Sequence, residues 1–282
     1  MPGAPAPLTG IRRVIVTRPE PEATRWVLSL RERGWPAEAW PLLRIGEPGD
    51  AAARERLAAW RAGWPTQDAL MFVSSAAVQG FFAAPVAPPG PRTRFWAPGP
   101  GTARALAAAL WPLGVGEDRI DTPPHAAAQF DSEHLWPVVQ GQLVPGSRVL
   151  VVRGAAEAEA ADEAPAGEWA GQGRNWLMER CREAGAEVQA CVAYQRARAE
   201  PGPADAERLR AASGAGTVWL FSSSEAVAAL QAQWPAGAQA LALATHPRIA
   251  EAAERLGFAA VIRSRPTLAD VASALESQAS TP

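Results

Sequence analysis

Short apolar runs, such as VIV at 14–16, LMFV at 70–73, VLVV at 149–152 and VWLF at 218–221, alternate along the chain with stretches whose apolar residues recur every three or four positions. The runs predict buried strands and the periodic stretches predict amphipathic helices. Strand and helix alternating through short loops predicts parallel sheets with helices on both faces. Val14–Thr17 opens the pattern, followed by a helix behind Pro19 and Pro21 that carries Trp26, Leu28 and Leu30 and ends at Gly34. Glu38–Ile45 reads as one strand, Ala51–Arg61 as a helix broken at Trp64-Pro65, and Phe95–Ala97 as a strand before a helix capped by Thr102. A short strand at Ile120–Pro124, a helix with Ser132 in its first turn and a final helix at LADVASALES complete the series.

The pattern repeats. MFVSSAAVQGFF (71–82) matches WLFSSSEAVAAL (219–230) at an offset of 149 residues, pairing Phe72 with Phe221, Ser74 and Ser75 with Ser223 and Ser224, and Val78 with Val227. Phe95–Val115 resembles Leu241–Val261 as strand, Pro/Gly/Thr turn, helix, glycine and strand. Val14–Leu42 resembles Val149–Tyr194, with Arg18 opposite Arg153 and Gly34 opposite Gly185, once an insertion between Ala155 and Gly173 is set aside. Three βαβ-like signatures occurring twice imply two similar lobes.

Composition then removes most chemistries. All 27 basic residues are Arg, so Schiff-base chemistry and a phosphate-loop lysine are excluded. Cys181 and Cys191 are the only cysteines, too few for a disulfide scaffold or a Cys-rich metal site, and His125, His134 and His246 are scattered. Gly99 and Gly101 suggest a dinucleotide fingerprint, but its third position holds Arg104. A net charge of −2 without a clustered basic face argues against nucleic acid. No apolar run approaches the roughly 18–20 residues of a membrane span, and the leader MPGAPAPLTG has no signal-peptide pattern, so the cytoplasm is the expected location. Residues 1–10 read as a disordered arm, and 155–173, with five acidic residues and no basic one, as a surface insertion.

In parallel sheets ligands sit beyond the carboxyl ends of strands, and a helix start is where anions bind. The segments predicted at strand ends carry Arg18, Ser74, Ser75, Gly101, Thr102, Arg153, Ser223, Ser224, Thr245 and His246. A structural reading competes for each: the serines serve as helix caps, the two arginines as salt bridges and His246 as a surface residue. Tyr194, the single tyrosine, is one of few candidates for acid–base work.

VTRPEPEATRWVLSLRERG, MFVSSAAV, APGPGTARAL, FDSEHL, VLVVRG, GRNWLMERCREAGAEVQACVAYQR, FSSSEAV and ATHPRIAEAAERLGF, in this order, closely resemble the uroporphyrinogen-III synthase family. The resemblance implies an α/β protein of two flavodoxin-like lobes joined by a two-stranded linker, with the active-site cleft between them. It places residues 11–42 with 197–282 in one lobe and 46–193 in the other. It implies cofactor-free, metal-free conversion of the linear tetrapyrrole hydroxymethylbilane to uroporphyrinogen III, by loss of the hydroxyl as water, attack by the far pyrrole, a spiro intermediate and inversion of ring D. Tyr194 matches the family tyrosine favoured as proton donor, and Ser74, Ser75, Thr102, Ser223, Ser224 and Thr245 are the matching positions for binding the carboxylate arms, with Arg18, Gly101, Arg153 and His246 as further candidate binders. The family is generally monomeric, and transient contact with hydroxymethylbilane synthase is the one protein partner the resemblance raises. The chain departs from the family pattern at Ala77 and at His246-Pro247. A two-lobed protein that binds an anionic small molecule without chemistry is the alternative.

Overall fold

The computed structural model describes residues 10–156, 172–200, 202 and 205–280. Residues 1–9 of the expected arm and 157–171 of the acidic insertion lie outside them. In chain order the described residues form β1 (Arg13–Val16), α1 (Glu22–Glu32), β2 (Ala37–Ala39), β3 (Leu43–Gly46) and α2 (Ala51–Gly63). There follow β4 (Ala69–Phe72), α3 (Ser75–Phe81), β5 (Arg94–Trp96), α4 (Pro100–Leu110), β6 (Ile120–Asp121), α5 (Ser132–Val139), β7 (Arg148–Ala156), α6 (Gln172–Glu183) and β8 (Glu187–Arg198). The last third holds α7 (Asp205–Ala212), β9 (Thr217–Phe221), α8 (Ser224–Ala229), β10 (Leu241–Ala244), α9 (Pro247–Leu256), β11 (Ala260–Arg263) and α10 (Leu268–Ala279). The chain divides into two compact units, one running to Arg44 and resuming at Arg198, the other spanning Ile45–Ala197.

The first unit contains a five-stranded sheet in the order β11-β10-β9-β1-β2, every neighbouring pair parallel. Its central strand β9, TVWLF, is buried at all five positions, as a strand covered on both faces must be. One face carries Ile15, Trp219 and Phe221 against α7, α8 and α9; the other carries Val14, Val16 and Leu220 against α1 and α10.

The second unit contains the order β3-β8-β7-β4-β5-β6, parallel from β8 to β6. Phe72, Leu150, Val152 and Cys191 pack toward α2, α3 and α4, whereas Met71, Val149 and Val151 pack toward α5 and α6. The repeat in the sequence explains the arrangement. Replacing β1, β2, β9, β10 and β11 by their sequence counterparts β7, β8, β4, β5 and β6 turns the first spatial order into the second, read from β6 to β8, with β3 added at its edge. The two sheets therefore share one flavodoxin-like layout, traced by the chain from different starting strands.

Two local expectations change. Glu38–Ile45 is two strands, because Trp40, Pro41 and Leu42 interrupt it: Pro41 has no N–H to give a ladder, and β2 pairs with β1 while β3 pairs with β8. The cap of α4 is Gly99, in an extended conformation with Pro100 following, and Thr102 is a buried residue inside the helix. The capped helix expected with Ser132 in its first turn is present: Asp131 caps α5, its carboxylate accepting the His134 backbone N–H at 2.9 Å, and Ser132 is the first helical residue.

Candidate active site

Each sheet has one point where the strand order reverses direction. In the first unit it lies between β1 and β9, in the second between β4 and β7. The crevice beyond the strand carboxyl ends at such a point is where open α/β sheets hold ligands.

At the reversal in the second unit, β4 ends at Phe72 and the chain enters α3 through Ser74, whose hydroxyl caps the helix by accepting the Ala77 backbone N–H at 3.2 Å. Ser75 is the first helical residue. Gly101, in the first turn of α4, lies beside it, where a Cβ would stand 3.7 Å from Ser75 Oγ in ordinary contact. The structure thus brings Ser74, Ser75, Gly101 and Thr102 to adjoining helix starts. Tyr194 joins them from β8: its phenol oxygen is 3.1 Å from Ser74 Oγ, its residue is 5 % exposed, and the Arg196 guanidinium donates to the same phenol oxygen at 3.4 Å. Beside this group a cavity of about 310 Å³ is lined by Glu47, Arg54, Arg61, Gln79, Gly80 and Tyr194.

Arg153, expected at a strand end, lies inside β7, because the strand continues to Ala156; it lines a smaller cavity of about 50 Å³ with Arg56, Trp60 and Cys191. Its Nη1 donates to the Gly154 carbonyl at 3.3 Å.

In the first unit Thr17 and Arg18 follow β1, and Ser223 follows β9. Ser223 caps α8, accepting the Glu225 backbone N–H at 3.1 Å, and Ser224 begins that helix. Thr245 is buried and its hydroxyl donates to the Phe221 carbonyl at 3.2 Å, so its proton is engaged within the sheet; Thr17 does the same toward Leu220 at 2.8 Å. His246 caps α9, Nδ1 accepting the Arg248 backbone N–H at 3.2 Å, which fixes the imidazole by its cap geometry. Arg18 lies 4.1 Å over the Trp26 ring and donates to Glu22 at 2.8 Å. Burial lowers its pKa, opposed by the Glu22 charge, and among the described residues its Nε has no hydrogen-bond partner.

Gly154 and Arg196 are functional candidates absent from the sequence reading. A glycine inside a strand run, as in VLVVRG, is the signal that a bulge or a close approach is present, and Arg196 stands two residues beyond Tyr194 on a strand. Both contact Tyr194.

The cysteines have no place in this chemistry. Burial pushes the thiols of Cys181 and Cys191 up to about 12 from 9.0. A thiol kept neutral by burial is a poor nucleophile, so an aromatic disulfide reagent at pH 8 is expected to leave the native protein unlabelled and to titrate two thiols once urea unfolds it. Stoichiometric labelling of the native chain within seconds would contradict the burial. The same shift fixes a sign. Below pH 9 both states hold the protons, and above it the unfolded chain releases them first, so this contribution to stability is lost as pH rises from about 9 toward about 12.

Among the described residues no helix is long and apolar enough to cross a membrane, and no three His, Cys, Asp or Glu side chains converge on a point that could hold a metal ion. Hydroxyls, backbone N–H groups at helix starts and one phenol define a two-unit parallel α/β protein whose strand ends suit an anionic small molecule. The chain belongs to the uroporphyrinogen-III synthase HemD family, whose family model matches residues 24–164 and 165–273. Comparison with curated proteins finds none that matches the sequence. Among solved structures the chain is similar to uroporphyrinogen-III synthetase from Helicobacter pylori, with a TM-score of 0.51 and 13 % identity over 95 % of this chain and 100 % of that one. It is also similar to a mutant uroporphyrinogen III synthase from the extremely thermophilic bacterium Thermus thermophilus, with a TM-score of 0.49 and 17 % identity over 94 % and 96 %. At such identities the first likeness shows the fold.

Proposed function

We propose that the chain is a uroporphyrinogen-III synthase that cyclises and dehydrates hydroxymethylbilane in tetrapyrrole (heme) biosynthesis, a hydro-lyase in reaction class. The observation that carries this is the family match over most of the chain, joined to a single tyrosine held against Ser74 at the carboxyl ends of the second sheet.

In the reaction Tyr194 gives its proton to the leaving hydroxyl, the C–O bond breaks and water departs, leaving an azafulvene cation and a phenolate. The far pyrrole attacks through its substituted carbon, and the spiro intermediate fragments. Ring D recloses inverted, and the proton lost from the ring carbon returns to the phenolate. Because the substrate closes unaided to the uninverted isomer, the protein mainly supplies geometry. Carboxylate arms suit, in the second unit, the backbone N–H groups that open α4, the Ser75 hydroxyl and the Arg153 cation, and the first unit carries groups of the same kind at the start of α9, at Ser223 and Ser224 and at Arg18. The reading requires no cofactor and is of a monomer in the cytoplasm, receiving an unstable substrate from hydroxymethylbilane synthase.

The test is a coupled assay: hydroxymethylbilane is generated in situ by its synthase, the protein is added, and the oxidised porphyrins are resolved by chromatography. Isomer III in excess over isomer I is expected. Isomer I alone, from a folded sample, would leave the binding protein without chemistry as the reading.

A further inference from the structure

We propose that Gly154, Ser74 and Arg196 are positioning residues for the Tyr194 hydroxyl, holding its oxygen between two donors so that its own proton is directed at the substrate. This rests on Tyr194 being the proton donor.

The first observation is a bulge. β7 and β8 run in register until Arg153 faces Val192, and the next pair is Gly154 with Tyr194, leaving Ala193 unopposed. Strand side chains alternate faces, so in an unbroken strand residue 194 would share the face of Ala190, which packs toward α5 and α6. The bulge turns Tyr194 to the other face, where it packs with Cys191, Ala193 and the residues of α3. Bulges re-aim side chains in this way.

The second observation is space. A Cβ on Gly154 would lie 2.3 Å from Tyr194 Cζ and 2.4 Å from Cε2, so the ring rests directly on the glycine backbone. Any larger residue at 154 displaces the phenol.

The third is the donor set. Arg196 has only donors to offer, and its guanidinium reaches the phenol oxygen at 3.4 Å while its Cζ stands 5.7 Å from the ring centroid. Ser74 Oγ accepts from the Ala77 N–H and lies 3.1 Å from the phenol oxygen. In the proposed arrangement the serine proton is donated to Tyr194 as well, both phenol lone pairs are occupied, and the phenolic proton is the one left for the substrate. The same two donors stabilise the phenolate after the proton has left.

The test measures isomer III formation by Gly154→Ala, Ser74→Ala, Ser74→Thr and Arg196→Gln, each alone and with Tyr194→Phe. Gly154→Ala is expected to lower kcat about 10²-fold with KM unchanged, as a misplacement of about 1 Å does. It should lower nothing further in the Tyr194→Phe background, since residues acting through one group are not additive. Ser74→Thr, which keeps the hydroxyl, should restore what Ser74→Ala loses. Protein labelled with ¹³C-tyrosine gives signals from one ring, and these should move in Gly154→Ala and Ser74→Ala. A parental kcat in Gly154→Ala, or an equal loss with and without Tyr194, overturns the positioning role. If Gly154→Ala does not fold, Ser74→Ala and Arg196→Gln decide the matter by the same double comparison. Parental turnover in Tyr194→Phe alone would instead remove Tyr194 from the chemistry, a result separate from any failure of its supports.

Discussion

Tyr194→Phe is expected to lower the rate of isomer III formation about 10²- to 10⁴-fold, the usual contribution of a positioned general acid, with KM changed little. The substitution removes one oxygen from a buried side chain whose ring keeps its packing among Cys191, Ala193 and α3. The fold has no reason to change, and the loss reports proton donation. Substrate that is not processed still closes in solution, so the product distribution shifts toward isomer I as the catalysed route fails. The chromatographic ratio of III to I, with single-turnover rates, is the measurement. A ratio equal to that of the parent would mean the hydroxyl leaves without help from the phenol. A fall in stability large enough to unfold the protein would mean the Ser74 and Arg196 contacts, at 3.1 and 3.4 Å, hold the second unit together.

Trp219→Ala should produce the largest loss of stability. Trp219 is fully buried in β9, hydrogen-bonded as a strand to both β1 and β10. Its ring is 5.2 Å from Trp40, 6.1 Å from Phe221 and 5.6 Å from Trp234 between centroids, and its indole N–H donates to the Ala212 carbonyl at 2.9 Å. Truncating such a residue removes about 3–5 kcal/mol through lost burial and the cavity left behind, and an orphaned buried carbonyl adds about 1–3 kcal/mol. Whole domains are stable by about 5–15 kcal/mol, so the first unit should lose most of its folded population in mild urea. Trp219→Phe keeps an aromatic ring in place and should lose clearly less. The denaturation midpoint followed by far-ultraviolet circular dichroism checks both, and a midpoint for Trp219→Ala within error of the parent would contradict the packing argument.

Much of the local structure of the candidate site was legible, because helix caps are set by neighbouring residues. Ser74 and Ser223 sit after apolar runs and before Ala-rich periodic stretches, and a serine at that junction caps a helix whatever else it does. Thr102 misled because a Thr beside a Pro/Gly turn resembles a cap. The extended Gly99 with Pro100 behind it starts the helix three residues earlier and leaves Thr102 buried. Arg18 was legible in position but not in partner: Glu22 and Trp26, four and eight residues on, take up much of its guanidinium.

The sequence by itself determined the alternation of strand and helix, the duplication and the residue types available for chemistry, because each depends on neighbours a few positions apart or on simple likeness between segments. Tertiary structure decided which strands adjoin. Only sheet pairing shows that Pro41 divides one apolar stretch between two sheets and that the two repeats are joined in different chain order. It also decided where Tyr194 points. Side-chain direction along a strand follows from register, and register with a distant partner strand can be offset by one unopposed residue, here Ala193, that no local pattern marks.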